Sequence, residues 1–234
     1  MKLHGQYILD GIISSIHFLP VTIELVFVSL FIGLLFGTAI GFIRYHKIPV
    51  LSQVFAVLVT MYQGIPVLVV LLIFHLLFLN HMGELLEALH LNYNAGDINP
   101  VWIGILALSL MAISNFSEVI RGALHGIDQG QTEAGYSVGL TRFQIIRRII
   151  IPQLVPIALP PITNNIVGLI KASSLASLVG IIEVTGGAIV PAATTYAFFE
   201  SYLAAACVYW VFSACLEFIL NQITVRVGKF RRAI

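Results

Sequence analysis

The stretch DQGQTEAGYSVGLTRFQIIRRIIIP, residues Asp128–Pro152, separates two strongly apolar runs with Asp128, Glu133, Arg142, Arg147, Arg148 and several small residues. Its polarity stands out because 59% of the 234 residues are hydrophobic and only 10% are charged. A water-soluble domain of this size would need far more charge on its surface. Apolar runs of about 20 residues with few charges are instead membrane-spanning helices. Five are predicted, over roughly 20–43, 54–79, 102–120, 156–181 and 200–222, and Asp128–Pro152 joins the third to the fourth. The fold class is therefore an all-α integral membrane protein, a single transmembrane domain over 1–234.

Charge sorts the connections. Arg44 and Lys47 follow the first span, Arg121, Arg142, Arg147 and Arg148 the third, and Arg226, Lys229, Arg231 and Arg232 the fifth. The other two connections hold Glu84, Glu87, Asp97, Glu183 and Glu200 but no Lys or Arg. Positive charge stays on the cytoplasmic side. That rule puts the N-terminus outside, the C-terminus inside and Asp128–Pro152 in the cytoplasm. Residues before about 18 are expected to form an interfacial, weakly amphipathic lead-in, without the small-residue cleavage site of a signal peptide. GELLEALHL, residues 83–91, is expected to lie as a short amphipathic helix on the outer surface. A net charge of +1 with no basic patch outside the loops gives no footprint for nucleic acid. Cys207 and Cys215 sit in one apolar segment, and His75, His81 and His90 are scattered around an outer loop, so neither set has metal-ligand spacing.

Within the cytoplasmic stretch, Asp128 with Gln131 three residues on resembles a capping box that starts a short helix. Gly139 is placed to end that helix in a left-handed conformation. Thr141 with Gln144 is a second capping box, starting a helix that runs toward Pro152. Ala134, Gly135 and Val138 give the first helix a small, weakly apolar side. A short flat-faced helix held at the membrane surface is a docking element. Nothing in it suggests bond-making chemistry. In the first span, Gly33, Gly37 and Gly41 at four-residue spacing let another helix approach closely, for packing inside the chain or for dimerisation. Pro156, Pro160 and Pro161 are expected to kink the start of the fourth span or keep its first turn irregular. Glu118 and Lys171 lie inside predicted spans, where a charge should face protein or water. Asn164, Lys171 and Ser174, at i, i+7 and i+10, share one helical face with Gly168 and form a polar stripe.

Glu133-Ala134-Gly135, Gly139 three residues further on and IIIP ending at Pro152 resemble the EAA motif of ABC importer permeases. Gly135 stands where a second Ala is usual, and Ile151 where Leu is usual. The resemblance extends to YQGIP at 62–66, FSEVIRGALHGIDQGQTEAG at 116–135, IPQLVPIALPPITNN at 151–165 and KASSLASLVGIIEVT at 171–185. These segments look like the polar amino acid uptake branch, with Gln63 for the usual Arg, Ile65 for Thr and Ala172-Ser173 for Asp-Thr. The resemblance implies a MetI-like fold and a multi-pass subunit in the bacterial cytoplasmic membrane. In such a subunit Glu133, Ala134, Gly135 and Gly139 would couple to an ABC ATPase dimer. It further implies a second permease chain, the same or paralogous, and an extracytoplasmic solute-binding protein. The outer acidic connections, residues 80–100 and 183–200, would steer that binding protein electrostatically. ATP and Mg would be bound by the ATPase, because this sequence has no G-x-x-x-x-G-K-[ST] loop and calls for no cofactor of its own. A polar amino acid would then pass Glu118, Asn164, Lys171 and Ser174, with Lys171 and Glu118 as opposites for its carboxylate and amino groups. Alternatively, Glu118 and Lys171 pair with each other as structural glue.

Two further readings differ in class. A stand-alone channel or ion-coupled secondary carrier needs no dedicated cytoplasmic docking helix, and the capped 128–152 segment argues against it. An intramembrane enzyme has no support: the sequence carries neither H-E-x-x-H nor G-x-S-x-G.

Overall fold

Three glycines set the central contact of the molecule. Gly33, Gly37 and Gly41 are buried on α2 (Leu19–Tyr45) and face Ala112, Phe116 and Ile120 of α5 (Val101–His125). A Cβ on Gly37 would stand 2.8 Å from both the Ile113 carbonyl oxygen and the Phe116 Cβ. One on Gly41 would stand 2.9 Å from the Ser117 carbonyl oxygen and the Ile120 Cβ. The partners advance along α5 as the glycines advance along α2, so the two helices run parallel at backbone contact. The stripe is thus used for packing inside the chain, and Ser29 adds a hydrogen bond to the Ile105 carbonyl at 3.2 Å.

This computed structural model describes residues 3–88, 90 and 98–231, which are helical apart from turns and short connections. Among the described residues, five helices are long and apolar enough to cross a membrane: Leu19–Tyr45, Val67–Ala88, Val101–His125, the tract Arg142–Val179 and Phe198–Val227. Around the α2–α5 pair, Leu25, Leu71, Leu108, Phe116, Ile170 and Ala176 are fully buried and knit α2, α4, α5 and the fourth span into one core.

The second span departs from expectation. Instead of one helix over 54–79, there are α3 (Leu51–Gly64) and α4 (Val67–Ala88). The residue before a proline is pushed out of the helical region. Ile65, preceding Pro66, accordingly takes φ −103 and ψ 126. Fourteen residues of α3 reach only about 21 Å, short of the ~30 Å hydrocarbon core, so α4 is the crossing helix. α3 lies across α5, where the Tyr62 hydroxyl donates to the Ala107 carbonyl at 2.8 Å and Ser114 donates to the Val59 carbonyl at 3.4 Å. Gly83–Ala88, expected as part of a separate outer helix, is the last stretch of α4, and residues 89 and 91 fall outside the described part.

The lead-in is likewise a packed helix. α1 (Gly5–His17) buries Gly11 and Ser15. A Cβ on Gly11 would meet the Ala204 Cβ at 2.8 Å, while Ser14 donates to the Gly187 carbonyl at 2.6 Å and Ser15 to the Val184 carbonyl at 3.1 Å. It thereby fastens α9 (Val184–Ile189) and α11 (Phe198–Arg231) to the start of the chain. The four-residue α10 (Ala192–Thr195) joins those two helices.

The fourth span is longer than expected and continuous with the cytoplasmic segment. α6 (Gly130–Ser137) is followed by α7 (Arg142–Ile145), a π-helical turn over Ile146–Ile150, α8 (Ile151–Ser173) and a 3₁₀ turn over Ser174–Val179. α8 remains helical through Pro156, Pro160 and Pro161. The irregular turn lies upstream, before Pro152. A proline ring crowds the carbonyl four residues back, and a widened turn there relieves the clash. The Gln153 side chain donates to the Ile149 carbonyl at 3.0 Å, and Asn165 donates to the Pro161 carbonyl at 3.0 Å.

Candidate functional site

Local hydrogen bonds build the cytoplasmic corner residue by residue. Thr141 and Gln144 form the expected capping box: the Gln144 amide donates to Thr141 Oγ1 at 3.4 Å and the Thr141 amide to Gln144 Oε1 at 2.8 Å. Gly139 has φ +78, and the Leu140 amide closes back on the Gly135 carbonyl at 3.0 Å, a left-handed helix end. The first capping box does not form. Asp128 Oδ1 instead accepts from the Gly130 amide at 2.7 Å, and the Gln131 amide bonds the Asp128 carbonyl at 3.1 Å. A one-residue-tighter turn therefore starts α6.

The small residues of α6 do not share one face. Gly135 points inward, where an added Cβ would lie 2.8 Å from Ile145 Cγ1 and 3.0 Å from its Cδ1. Glu133, Ala134 and Gly139 are exposed, together with two bulky residues, Val138 at 73% and Phe143 at 70%, of which the sequence pattern points to Val138 but not to Phe143. The glycine in the Ala position thus has a packing reason, and the outward surface is more apolar than the Glu-Ala-Gly triplet suggests. Behind α6 lies a cavity of about 330 Å³, closed by the ends of α2 and α5 and by the α7–π tract.

Glu118 and Lys171 are not partners. Glu118 Oε1 lies 2.7 Å from Arg44 Nη2, and its Oε2 lies 2.7 Å from Arg121 Nη2 and 3.1 Å from Nε. Arg44, whose side chain is only 8% exposed, also donates to Ser117 Oγ at 3.0 Å. This clasp sits at the cytoplasmic end of the α2–α5 pair and neutralises a carboxylate that would be costly alone. Sequence spacing could have offered Arg121, three residues along the helix. Arg44 belongs to another helix and left no local signal.

On α8, Asn164 and Lys171 are exposed and Gly168 has nothing within 4 Å of an added Cβ. Ser174 is half-buried and donates to the Lys171 carbonyl at 2.7 Å. The stripe therefore exists, and it faces away from this chain's own core, which Ile166, Val167, Leu169 and Ile170 face from the opposite side.

Two acids expected on the outer surface are buried, Glu183 at 0% and Glu200 at 4% exposure. Glu200 accepts from the His4 amide at 3.4 Å. Glu183 caps α9, taking the Thr185 amide at 2.8 Å and the Gly186 amide at 3.2 Å, and it also accepts from the hydroxyls of Thr22 and Tyr209. Burial pushes its carboxyl above the usual carboxylate range, against the pull of these donors. Neither acid is available to steer a binding protein.

Comparisons with known proteins agree on one class. The family described as "Binding-protein-dependent transport system inner membrane component" matches residues 18–229. The probable amino-acid permease protein YxeN of Bacillus subtilis (strain 168) is 33% identical over 206 residues, 88% of each chain. The probable glutamine ABC transporter permease protein GlnP of the same organism is 32% identical over 227 residues, 95% of this chain and 94% of that one. Among solved structures, an amino acid ABC transporter crystallised with histidines superposes with a TM-score of 0.79 at 26% identity, covering 97% of this chain and all of that one.

Proposed function

The chain belongs to the family of binding-protein-dependent transport system inner membrane components, and on that premise we propose that it moves polar amino acids across the bacterial cytoplasmic membrane. It is a multi-pass transport subunit of an ABC importer and not itself an enzyme. In this reading a solute-binding protein delivers the amino acid outside. An ATPase dimer with ATP and Mg acts from the cytoplasm, and a second permease chain completes the pore. The relatives named for amino-acid and glutamine transport support the cargo class.

The observation that carries the mechanism is the single helical tract Arg142–Val179. One end leaves the exposed corner of Glu133, Ala134, Gly139, Val138 and Phe143. The other carries the outward-facing stripe of Asn164, Lys171 and Ser174. At 1.5 Å per residue, Arg142 and Lys171 are about 43 Å apart along the axis, with no loop between them. A push on the corner by a closing ATPase is therefore delivered to the stripe as a rigid displacement. Alternating access follows when two such tracts rock together. Lys171 offers its ammonium to the α-carboxylate, Asn164 and Ser174 offer neutral hydrogen bonds, and together they offset part of the cargo's lost hydration. Glu118, held by two arginines, keeps α2 and α5 together beneath this route. A stand-alone carrier would have no use for the capped cytoplasmic corner.

The test is reconstitution with the cognate ATPase and binding protein, followed by uptake across a panel of amino acids. Lys171→Met should reduce uptake at least tenfold while the complex assembles and hydrolyses ATP. Parental uptake by Lys171→Met would remove the stripe from the route, and uptake without ATP or ATPase would remove the importer reading.

A further inference from the structure

The cavity behind α6 borders the coupling corner but lies apart from the substrate stripe on α8. Its walls come from the end of α2 (Phe42, Tyr45, His46), the α5–α6 corner (Leu124 to Tyr136) and the α7–π tract (Arg142 to Ile150). At about 330 Å³ it lies at the small end of metabolite sites, which run roughly 300–1,000 Å³. We propose that it is a second amino acid site, which takes a free zwitterionic amino acid from the cytoplasm and slows import when that amino acid accumulates. The proposal rests on the reading that polar amino acids are the cargo.

Charge is the first support. Asp128 and Glu133 line the cavity together with Arg142, and among the described residues none of the three belongs to an ion pair. Opposite charges that share a pocket without neutralising each other are complementary to a ligand bearing both signs. The Arg142 guanidinium presents the planar fork that binds a carboxylate through two parallel hydrogen bonds. Asp128 and Glu133 suit the ammonium group. The Gly130 amide, 2.7 Å from Asp128 Oδ1, already fixes the direction of that carboxyl group.

The aromatic wall is the second. Phe42 and His46 stack at 6.4 Å with their planes 18° apart, and Tyr45 meets His46 edge-on at 5.1 Å and His125 at 5.0 Å. These rings hold one another in place before any ligand arrives. They offer an apolar seat for a side chain, with Tyr136 on the facing helix.

Position is the third. One wall belongs to the α2–α5 body and the other to the corner that meets the ATPase. A ligand touching both favours the arrangement in which they are close, and so is coupled to the motion that drives transport.

The experiment uses the complete importer in proteoliposomes, with binding protein and labelled amino acid inside and ATP in the bath, so that the bath is the cytoplasmic side. Each amino acid of the panel is added to the bath at millimolar concentration, and ATP hydrolysis and efflux of label into the bath are followed. The transported amino acid should lower both severalfold in a saturable way. Measured against its own rate without bath amino acid, Arg142→Gln should raise the half-inhibiting concentration about tenfold, equivalent to about 1.4 kcal/mol. Arg142→Lys, which keeps the charge but not the fork, should fall between. Inhibition that is the same in Arg142→Gln, or normal transport that no bath amino acid slows, overturns the proposal and leaves the cargo reading intact. No transport of any amino acid overturns both.

Discussion

Replacing Gly37 with Leu isolates the energetic role of the α2–α5 contact. The first added atom already falls 2.8 Å from the Ile113 carbonyl oxygen, 2.8 Å from the Phe116 Cβ and 3.2 Å from the Ser117 amide nitrogen. Two of these are backbone atoms and the third is a Cβ fixed to the backbone, so no side chain can swing aside and the helices must separate. Overpacking of this kind costs about 1–3 kcal/mol, and a full leucine belongs at the upper end. Leucine also has better helix propensity than glycine by somewhat under 1 kcal/mol, which works in the opposite direction. Gly122→Leu on the same α5 reports that second effect alone, because Gly122 is exposed with nothing within 4 Å of an added Cβ. At about 2–4 °C per kcal/mol for a chain of this length, Gly37→Leu should melt about 4–8 °C below the parent in detergent. Gly122→Leu should melt at or slightly above it. The assay is a thermal melt followed by loss of the monodisperse peak. If Gly37→Leu and Gly122→Leu melt within 2 °C of each other (about 0.5–1 kcal/mol), the glycine stripe is not holding the helices at backbone contact.

Three further outcomes are expected. Glu118→Gln leaves Arg44 buried without its carboxylate and should destabilise by about 3–5 kcal/mol, whereas Lys171→Met, in contact with neither, should leave the melt unchanged. Equal melts for the two would break the clasp assignment. Gly139→Val forces a β-branched residue into φ +78, a strain of about 1–3 kcal/mol; receptor-stimulated ATP hydrolysis should fall while the complex still assembles, and unaltered stimulation would refute the coupling role. Glu183 binds its proton more tightly folded than unfolded, so its contribution favours the fold below the ordinary carboxylate value of 4.5 and is lost as pH rises from there through the raised folded value. Melts of the parent and Glu183→Gln against pH should therefore diverge over that window, and parallel curves would show that the burial has no titration consequence.

Local chemistry made much of this fold legible. The Gly33–Gly37–Gly41 spacing, the Thr141–Gln144 box and the Gly139 stop are each written within a few residues, and the structure uses all three. The α3–α4 break was also written, in Gly64-Ile65-Pro66, but hydropathy runs on across it and concealed it. What stayed hidden depended on distant partners. Glu183 looks like a surface acid until Thr22, 161 positions away, and Tyr209, 26 away, enclose it. Arg44 reaches the Ser117–Glu118 end of α5 from another helix. The inward turn of Gly135 follows from Ile145, across a reversal whose tightness depends on one left-handed residue. The stripe on α8 could be placed on a face from spacing alone, but its facing away from the core needed the packing of every other helix.

The π-helical turn at Ile146–Ile150 makes residue count equivalent to angle. Closing each bond over five residues instead of four stores one surplus position within a turn. Removing one residue there lets the turn relax to regular α-helix with both flanks still facing their present neighbours. The same deletion one or two turns further along, within α8, has no surplus to absorb it and turns everything beyond by about 100° relative to the docking corner. Asn164 and Lys171 would then take the buried places of Thr163 and Ile170, while Leu169 moved into the open place of Gly168. Chimeras that exchange the cytoplasmic corner between permeases can therefore lose a single residue within Ile146–Ile150, where the surplus lies, and should keep the count from Pro152 to Lys171 fixed.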